Sequence, residues 1–373
     1  MHVPICRFSR VHAALLAAAS MAIFASANTL AGPVPAFYDL GFDNTVSGLS
    51  ADGAFAAGTN GAGYFTWTAA SGLTPIGGVT PSLGGGRAKV SDDGSYIAGT
   101  ALNSTTGFTE MSVYDVAAGT WTNLGGIGGE SDGSTSSGWG ISGDGNHVVG
   151  LGWINAGTAH GIQSTNHAPS FDLGSTVTER SSRANATNFD GTVVVGWQDA
   201  EDGFRQGAVW INGTQQLILD SDGFVVGEAG DVSADGNWAV GSHNFTAYRW
   251  SPVDGFESIG PVGDFFSQAS ATGISADGST IVGYQRPFGP PTLGRGFIWT
   301  EAGGHIDLTD LALSLGLDLG DTILALPLEI SADGTTISGL TDAYNGFVVV
   351  IPEPASAAVL MPLMVTLLRR RSR

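Results

Sequence analysis

The chain has 373 residues, a formal net charge of −20 and a single cysteine. This negative balance makes nucleic acid and anionic membrane surfaces poor partners, whereas cations, neutral glycans and basic proteins are suitable ones. Only 13% of the residues are charged and 57 are glycine, and short apolar runs alternate with Gly, Ser, Thr, Asn and Asp. Such a composition is typical of many short strands joined by tight turns.

The N-terminus has the three parts of a secretory signal. Arg7 and Arg10 precede a short apolar stretch, and Ala25 and Ala27 follow it as the small residues of a cleavage site. This order predicts a signal peptide over 1–27, with cleavage after Ala27. The apolar stretch is too short to span a membrane comfortably.

The predicted exported body is 28–351, although a second small-x-small site ends at Ala31. The only cysteine, Cys6, lies inside the signal, so the body has no disulfide and its stability must come from packing. The body has 324 residues with 8 basic and 33 acidic side chains, a formal charge of −25. Its length fits one large all-β domain or two ordinary domains.

The dipeptide Asp-Gly recurs seven times in one frame, between two short apolar runs, as in VSADGNWAVG and ISADGSTIVG. Successive aspartates are 41, 51, 46, 45, 42 and 56 residues apart. The seven pairs are Asp52–Gly53, Asp93–Gly94, Asp144–Gly145, Asp190–Gly191, Asp235–Gly236, Asp277–Gly278 and Asp333–Gly334. We interpret them as the turns of seven β-hairpins, each commonly a three-residue loop with a left-handed glycine.

Two other positions repeat around each turn. A short polar residue stands two before each aspartate, where its side chain can hydrogen-bond nearby backbone. These residues are Ser50, Ser91, Ser142, Asn188, Ser233, Ser275 and Ser331. A glycine stands six after each aspartate, which indicates a bulge or a close backbone approach. These glycines are Gly58, Gly99, Gly150, Gly196, Gly241, Gly283 and Gly339.

Several hairpins are followed by two further strands. A third strand with an aromatic residue is predicted at 63–68, 207–212, 247–251 and 296–300. A short fourth strand is predicted at 73–78, 122–126, 256–261 and 305–309. Seven units of four strands predict an all-β fold, a seven-bladed β-propeller. A pair of β-sandwiches and a solenoid are the alternatives.

Two elements complete this prediction. The stretch 36–42 resembles a fourth strand without a blade, and the last repeat lacks one, so 36–42 should pair with 346–351 and close the ring. Within 307–319, four apolar residues lie on one helical face and Gly316 can end a short helix. The four are Leu308, Leu311, Ala312 and Leu315.

The repeats resemble the HAF-type extracellular repeat, in which a Leu-Gly-Gly segment leads to the Asp-Gly hairpin and then to an aromatic-Trp-Thr strand. The closest copies are 124–150 and 271–284, the latter followed by GFIWTEAGG at 296–304. The likeness covers about 39–351. The His-Ala-Phe tripeptide is absent, and 160–166 has lost the tryptophan. The resemblance implies an extracellular protein and assigns no activity.

The sequence predicts no catalytic residue and no cofactor, since it contains no GxSxG, GxxxxGK[ST] or HExxH motif and its histidines are scattered. Calcium is the one metal left open, at Asp199–Gly203 and Asp220–Gly223, although both lack the further ligands of an EF-hand. The many acidic residues leave a glycosidase-like carboxylate pair open.

The tryptophans fall into two groups. Those on predicted third strands should pack between blades, and they are Trp67, Trp210, Trp250 and Trp299. The others lie in or beside hairpin strands, where a buried ring fills the core and an exposed ring could stack on a sugar. They are Trp139, Trp153, Trp197 and Trp238.

The C-terminal tail, 352–373, has a Pro-Glu-Pro triplet, a 14-residue apolar run and an arginine cluster. Its motif residues are Pro352, Glu353, Pro354, Arg369, Arg370, Arg371 and Arg373. As a transmembrane helix the run would reach about 21 Å against a hydrocarbon core of about 30 Å, and Pro362 weakens it. It is thus a poor permanent anchor, although an ordinary short C-terminal anchor is the alternative. The arginines would stay on the cytoplasmic side.

This arrangement closely resembles a PEP-CTERM sorting signal, with Ile351 where valine is commoner. The resemblance implies recognition by an exosortase, a membrane transpeptidase-like protease of Gram-negative-type bacteria that make exopolysaccharide. We therefore expect export by the Sec pathway, transient contact of the tail with the inner membrane, and removal of the tail near 352–354.

The leading hypothesis for function is a non-catalytic cell-surface or extracellular-matrix protein that associates with exopolysaccharide or another surface glycan. The rival is a secreted carbohydrate-active enzyme with a carboxylate pair at the mouth of the propeller.

Overall fold

The computed structural model describes residues 33–79, 85–128 and 135–352, and the strands in them form seven four-stranded antiparallel sheets. The predicted signal peptide, 1–27, and residues 353–373 of the predicted sorting tail lie outside the described residues. In six sheets the four strands follow one another in chain order.

These six sheets are blades 1 to 6. Blade 1 contains β2 (Thr45–Leu49), β3 (Ala56–Asn60), β4 (Gly63–Thr68) and β5 (Gly72–Gly77). Blade 2 contains β6 (Lys89–Val90), β7 (Tyr96–Leu102), β8 (Thr109–Asp115) and β9 (Thr120–Asn123). Blade 3 contains β10 (Ser136–Ile141), β11 (His147–Asn155), β12 (Thr158–Thr165) and β13 (Phe171–Asp172). Blade 4 contains β14 (Ser182–Thr187), β15 (Val193–Asp199), β16 (Arg205–Ile211) and β17 (Thr214–Leu217). Blade 5 contains β18 (Ala229–Val232), β19 (Ala239–His243), β20 (Thr246–Ser251) and β21 (Gly255–Gly260). Blade 6 contains β22 (Gln268–Ile274), β23 (Thr280–Arg286), β24 (Arg295–Thr300) and β25 (Gly304–Asp307).

Blade 7 is built from both ends of the body. It contains β26 (Leu326–Ile330), β27 (Thr336–Leu340), β28 (Asn345–Val350) and, as its fourth strand, β1 (Ala36–Phe42). β1 pairs with β28 from Ala36 opposite Val350 to Phe42 opposite Asn345. The predicted closure of the ring is therefore confirmed. Closure in this way pairs one edge of β28 with one edge of β1, so neither strand has two unpaired edges.

The seven sheets form a ring. The first strand of each blade contacts the first strand of the next blade, and contact between β2 and β26 completes the circle. The fold is thus a seven-bladed β-propeller, as the repeats predict. The pair of β-sandwiches and the solenoid are excluded, because neither brings seven first strands around one centre.

The repeated glycine six residues after each aspartate has the predicted close neighbours. In six blades the register shifts by one residue opposite this glycine, as between Ala184 and Ala186. A Cβ on Gly196 would lie 2.0 Å from the carbonyl oxygen of Arg183, and one on Gly150 would lie 2.0 Å from that of Ser137. The bulge brings the first strand so close that no side chain fits.

Apolar residues fill the spaces between neighbouring blades. In one cluster Val209 and Ile218 of blade 4 pack with Val232 and Tyr248 of blade 5. Three of the four third-strand tryptophans are buried in such clusters, as predicted, and Trp250 packs against one. The buried three are Trp67, Trp210 and Trp299.

The one α-helix among the described residues is α1 (Leu308–Ser314), close to the predicted position. Asp307 caps it by accepting a hydrogen bond from the backbone N–H of Asp310, and Leu311 and Ala312 are buried. Gly316 follows with a φ of +82°, as expected for a residue that ends a helix. A short 3₁₀ helix lies at Pro291–Leu293. Within 33–79, 85–128 and 135–352, no helix is long and apolar enough to cross a membrane.

Candidate functional site

The Asp-Gly turns all lie on one side of the ring, which we call the turn face. The opposite side, called the loop face, carries the connections from second to third strands and from each blade to the next. All seven turn glycines have φ between 66° and 76°, the left-handed conformation that the pattern predicts.

The connection is longer than the expected three-residue loop. In blade 1 the N–H of Ser50 donates to the carbonyl of Phe55, and four residues lie between them. The return bond is made by a side chain, since the N–H of Phe55 donates to Ser50 Oγ at 3.0 Å. The Ser50 hydroxyl in turn donates to Asp52 at 2.7 Å. The hydroxyl therefore spans the longer connection, which explains why a short polar residue precedes each turn.

The turn aspartates are occupied by their own turns. Asp52 accepts hydrogen bonds from the backbone of Ala54 and from Ser50, and these bonds lower its pKa. The backbone bond recurs in the other six hairpins, and the serine bond recurs in five of them. These carboxylates therefore have a structural role in the turns.

The turns are also joined to each other. In each blade one backbone N–H donates to a carbonyl of the next turn, from Ala51 to Asp92 at 2.9 Å and finally from Asp333 back to Ala51 at 3.0 Å. Seven such bonds form a closed circle on the turn face. Backbone bonds of this kind fix the spacing of blades without depending on side chains.

Each turn glycine also packs on the preceding blade. A Cβ on Gly278 would lie 2.6 Å from Trp238, and one on Gly191 would lie 2.2 Å from His147. Both contact residues stand three after the aspartate of their own turn. Glycine is thus required at each turn for two reasons, namely its left-handed backbone conformation and the closeness of the neighbouring blade.

At the centre of the ring, the sequence position four before each turn aspartate faces the axis. This position is small in four blades and charged in three. The residues are Gly48, Lys89, Gly140, Ala186, Asp231, Gly273 and Glu329. The ammonium of Lys89 donates to Glu329 in a buried ion pair that joins blades 2 and 7. Asp231 of blade 5 accepts a hydrogen bond from the N–H of Ile274 at 3.1 Å.

Burial dominates the electrostatics of this cluster. Burial raises the pKa of Asp231, and the positive charges of Lys89 and Arg87 act to lower it. Burial also lowers the pKa of Lys89. The three charged side chains line a cavity of about 100 Å³ whose walls come from all seven first strands. This volume suits a few water molecules and is below the 300–1,000 Å³ or so of small-molecule pockets.

On the loop-face side of the cluster, three arginines and two tryptophans alternate in a stack. Trp139 lies between Arg87 and Arg183, with guanidinium-to-ring distances of 5.6 and 3.7 Å. Trp197 lies between Arg183 and Arg205, at 5.3 and 3.6 Å. Both rings are thus covered by cations on their faces, and neither is presented for stacking on a sugar.

One carboxylate, that of Glu228, is hydrogen-bonded to two of the three arginines in this stack. Glu228 accepts from Arg183 at 2.8 Å, from Arg205 at 3.1 Å and from the side chain of Asn185 at 2.8 Å. Glu228 therefore links the two arginines of blade 4 to blade 5, whereas the buried indole N–H of Trp197 has no hydrogen-bond partner among the described residues.

The two calcium candidates are not brought together. Asp220 accepts hydrogen bonds from the backbone of Asp222 and Phe224, and Asp199 lies 3.6 Å from Arg205. Among the described residues, no group of three or more His, Asp or Glu side chains is arranged to hold a metal ion.

Two of the histidines have other kinds of partner. His160 is hydrogen-bonded to Asp172 at 2.8 Å, and His305 stacks on Phe297.

The central cluster was missed by the sequence reasoning, although a signal was present. Aligning the seven repeats on Asp-Gly puts Lys89, Asp231 and Glu329 in one column that is otherwise glycine or alanine. A charged residue at a repeat position that is otherwise glycine or alanine indicates that the fold leaves space for a large side chain there.

Comparisons with known proteins support the fold. A chain of the structure titled "Crystal Structure of Mitotic Checkpoint Complex" is 14% identical, with a TM-score of 0.53 and coverage of 94% of this chain and 97% of that chain. The β-propeller domain of Myceliophteria thermophila Cps50 (Swd1) is 10% identical, with a TM-score of 0.54 and coverage of 86% and 99%. An oligogalacturonate lyase in complex with manganese is 12% identical, with a TM-score of 0.54 and coverage of 87% and 98%. At such identities the likeness shows the fold alone. No protein-family model and no curated protein matches the chain.

Proposed function

We propose that this chain is the precursor of an exported cell-surface or extracellular-matrix protein that an exosortase sorts. Its propeller is a non-catalytic body that associates with exopolysaccharide. The N-terminal signal, the Pro-Glu-Pro tail and the acidic, disulfide-free composition support this proposal.

The observation that carries the proposal is the position of the two ends of the body. Ala36 pairs with Val350, and the N–H of Ile351 donates to the carbonyl of Thr335 beside the last turn. Both ends therefore lie at the turn face of blade 7. A tail that starts at Pro352 and halts in a membrane would hold that face inward and leave the loop face pointing away from the cell.

Mass spectrometry of the protein from the cell surface tests the sorting step. We expect a C-terminus within 352–354. Replacing Pro352 and Pro354 with alanine should leave the precursor in the membrane fraction, because the rigid triplet is the recognition feature. Pro252→Ala, in an exposed loop of the body, is the control and should be sorted normally. An intact Arg373 at the final location, or normal delivery of the double variant, contradicts the proposal.

One observation favours the rival enzyme. Asp231 and Glu329 face the same central cavity, as a carboxylate pair would. However, both are buried, Glu329 is already paired with Lys89, and the cavity is too small for a sugar ring. The test is release of reducing ends from surface polysaccharide by the purified protein. Activity that Asp231→Asn and Glu329→Gln each abolish, in variants that still fold, would replace the non-catalytic proposal.

A further inference from the structure

Five loops on the loop face of blades 4 to 6 each carry a highly exposed phenylalanine. The loops are 200–204, 218–228, 244–245, 261–267 and 287–294. Their phenylalanines are Phe204 (76% exposed), Phe224 (69%), Phe245 (59%), Phe265 (71%) and Phe288 (71%). We call these five loops the phenylalanine face.

The five rings together expose a large aromatic area. A phenylalanine buries about 150–250 Å² when covered, so the five rings expose on the order of 700 Å² in total, distributed over the five loops. The rings of Phe245 and Phe288, on neighbouring blades, are already in edge-on contact at 5.9 Å between centroids.

The charge of the same loops has one sign. They contain six carboxylates and no Lys or Arg. Glu228 forms ion pairs with Arg183 and Arg205. The other five carboxylates are Glu201, Asp202, Asp220, Asp222 and Asp264.

Four arginines border these loops, and each already has a bonding partner, with Arg180 donating to the backbone carbonyl of Glu201. Arg205 pairs with Glu228, Arg286 donates to the carbonyl of Gly289, and Arg295 pairs with Asp307. The phenylalanine face is therefore both apolar and acidic.

We propose that the phenylalanine face binds a basic, apolar segment of a partner protein. Apolar side chains of the segment cover the rings, and its Lys or Arg side chains lie opposite the five carboxylates. Charge complementarity selects this partner, because a second copy of the chain would bring five carboxylates against five. An acidic glycan and an anionic membrane would meet the same repulsion.

The test measures binding of defined probes to the full-length chain. The first probe is a synthetic amphipathic peptide of Leu and Lys, and the second is its Leu and Glu counterpart. We expect the Lys peptide to bind, the Glu peptide not to bind, and added salt to weaken binding. Phe245→Ser combined with Phe288→Ser should weaken the Lys peptide at least tenfold. Glu201→Gln combined with Asp264→Asn should weaken it severalfold and flatten its salt dependence.

Matched controls separate this face from the acidity of the whole body. Phe171→Ser changes a phenylalanine that is 47% exposed on the outer strand of blade 3. Glu301→Gln combined with Asp254→Asn removes two exposed carboxylates from the turn face. Neither control should alter binding by more than about twofold. The proposal is overturned if the controls weaken binding as much as the tested variants, or if the Glu peptide binds equally. It is also overturned if the phenylalanine variants instead abolish binding of dextran or self-association in sedimentation.

Discussion

The two faces of this propeller are built in opposite ways. On the turn face, the same hydroxyl, carboxylate and glycine recur in every blade, apart from Asn188 in place of serine, and seven backbone bonds join the turns in a circle. On the loop face the connections differ in length from blade to blade, and three adjoining blades present exposed phenylalanines. The residues that recur on the turn face thus make the bonds between blades, whereas the loops that differ between blades carry the exposed side chains.

This difference indicates where the fold is stabilised and where the protein is free to acquire partners. The turn face uses its carboxylates internally, so it offers little unpaired chemistry to a ligand. The loop face owes little of its structure to the exposed rings, since removing a surface side chain usually changes stability by less than about 0.5 kcal/mol. The buried charges at the axis lie between the two faces and belong to neither pattern.

The largest effect is expected at the axis. Lys89→Met leaves Glu329 buried without its cation, which costs about 3–5 kcal/mol of unfolding free energy. Lys89→Met combined with Glu329→Met removes both charges of the pair and should recover part of this loss, while buried Asp231 still lacks the cation that Lys89 supplied. Urea denaturation of the unmodified protein and these two variants measures the loss and its recovery. If Lys89→Met cost less than about 1 kcal/mol, the ion pair at the axis would contribute little to holding blades 2 and 7 together.

A smaller effect compares the two faces directly through glycine. Gly278 on the turn face and Gly223 on the loop face have φ of +73° and +82°, so valine is strained at both. Only Gly278 also meets a neighbour, since its Cβ would lie 2.6 Å from Trp238, whereas nothing lies within 4 Å of Gly223. We expect Gly223→Val to cost about 1–2 kcal/mol and Gly278→Val to cost at least about 1 kcal/mol more. Thermal melts of both variants decide this, and equal losses would show that contact between turns adds nothing to backbone strain.

The sequence was sufficient to predict the parts of the fold that recur in every repeat. Two apolar runs around Asp-Gly predict a hairpin without any information about the rest of the chain. The stretch 36–42 resembles a fourth strand without a blade, and the repeat that ends at 346–351 lacks a fourth strand, so their pairing was also predictable. One local error was the turn length, because the pattern does not reveal that the Ser50 hydroxyl replaces a backbone bond. Another was the fourth strand predicted at 122–126, which lies at Thr120–Asn123.

The axis and the loop face could not be derived in the same way. The ion pair of Lys89 with Glu329 joins residues 240 positions apart, and only the ring geometry brings them together. The five exposed phenylalanines have no common spacing, because each lies in a loop of different length. Their shared location depends on which connections emerge on which side of the blades.

The smallest expected effect concerns the turn carboxylates and pH. Burial acts to raise the pKa of Asp277, but hydrogen bonds from the backbone of Ser279 and the hydroxyl of Ser275 outweigh it and lower the pKa. The pKa values of five other turn aspartates are lowered as well, and these are Asp52, Asp93, Asp144, Asp190 and Asp235.

A carboxylate whose pKa is lower in the folded state stabilises the fold fully above its unfolded pKa of about 3.9, and this stabilisation is lost as pH falls through the folded value. The protein should therefore lose stability to urea as pH falls below about 5 and on through the lowered pKa values of the folded state. Asp277→Asn keeps a hydrogen-bond acceptor in the turn, so it should cost no more than about 1 kcal/mol at neutral pH and should slightly reduce the loss in acid. Both proteins should be measured with and without Ca²⁺. If Asp277→Asn instead removed a calcium-dependent stabilisation, the aspartates would be metal ligands, and the turn face would carry chemistry of its own.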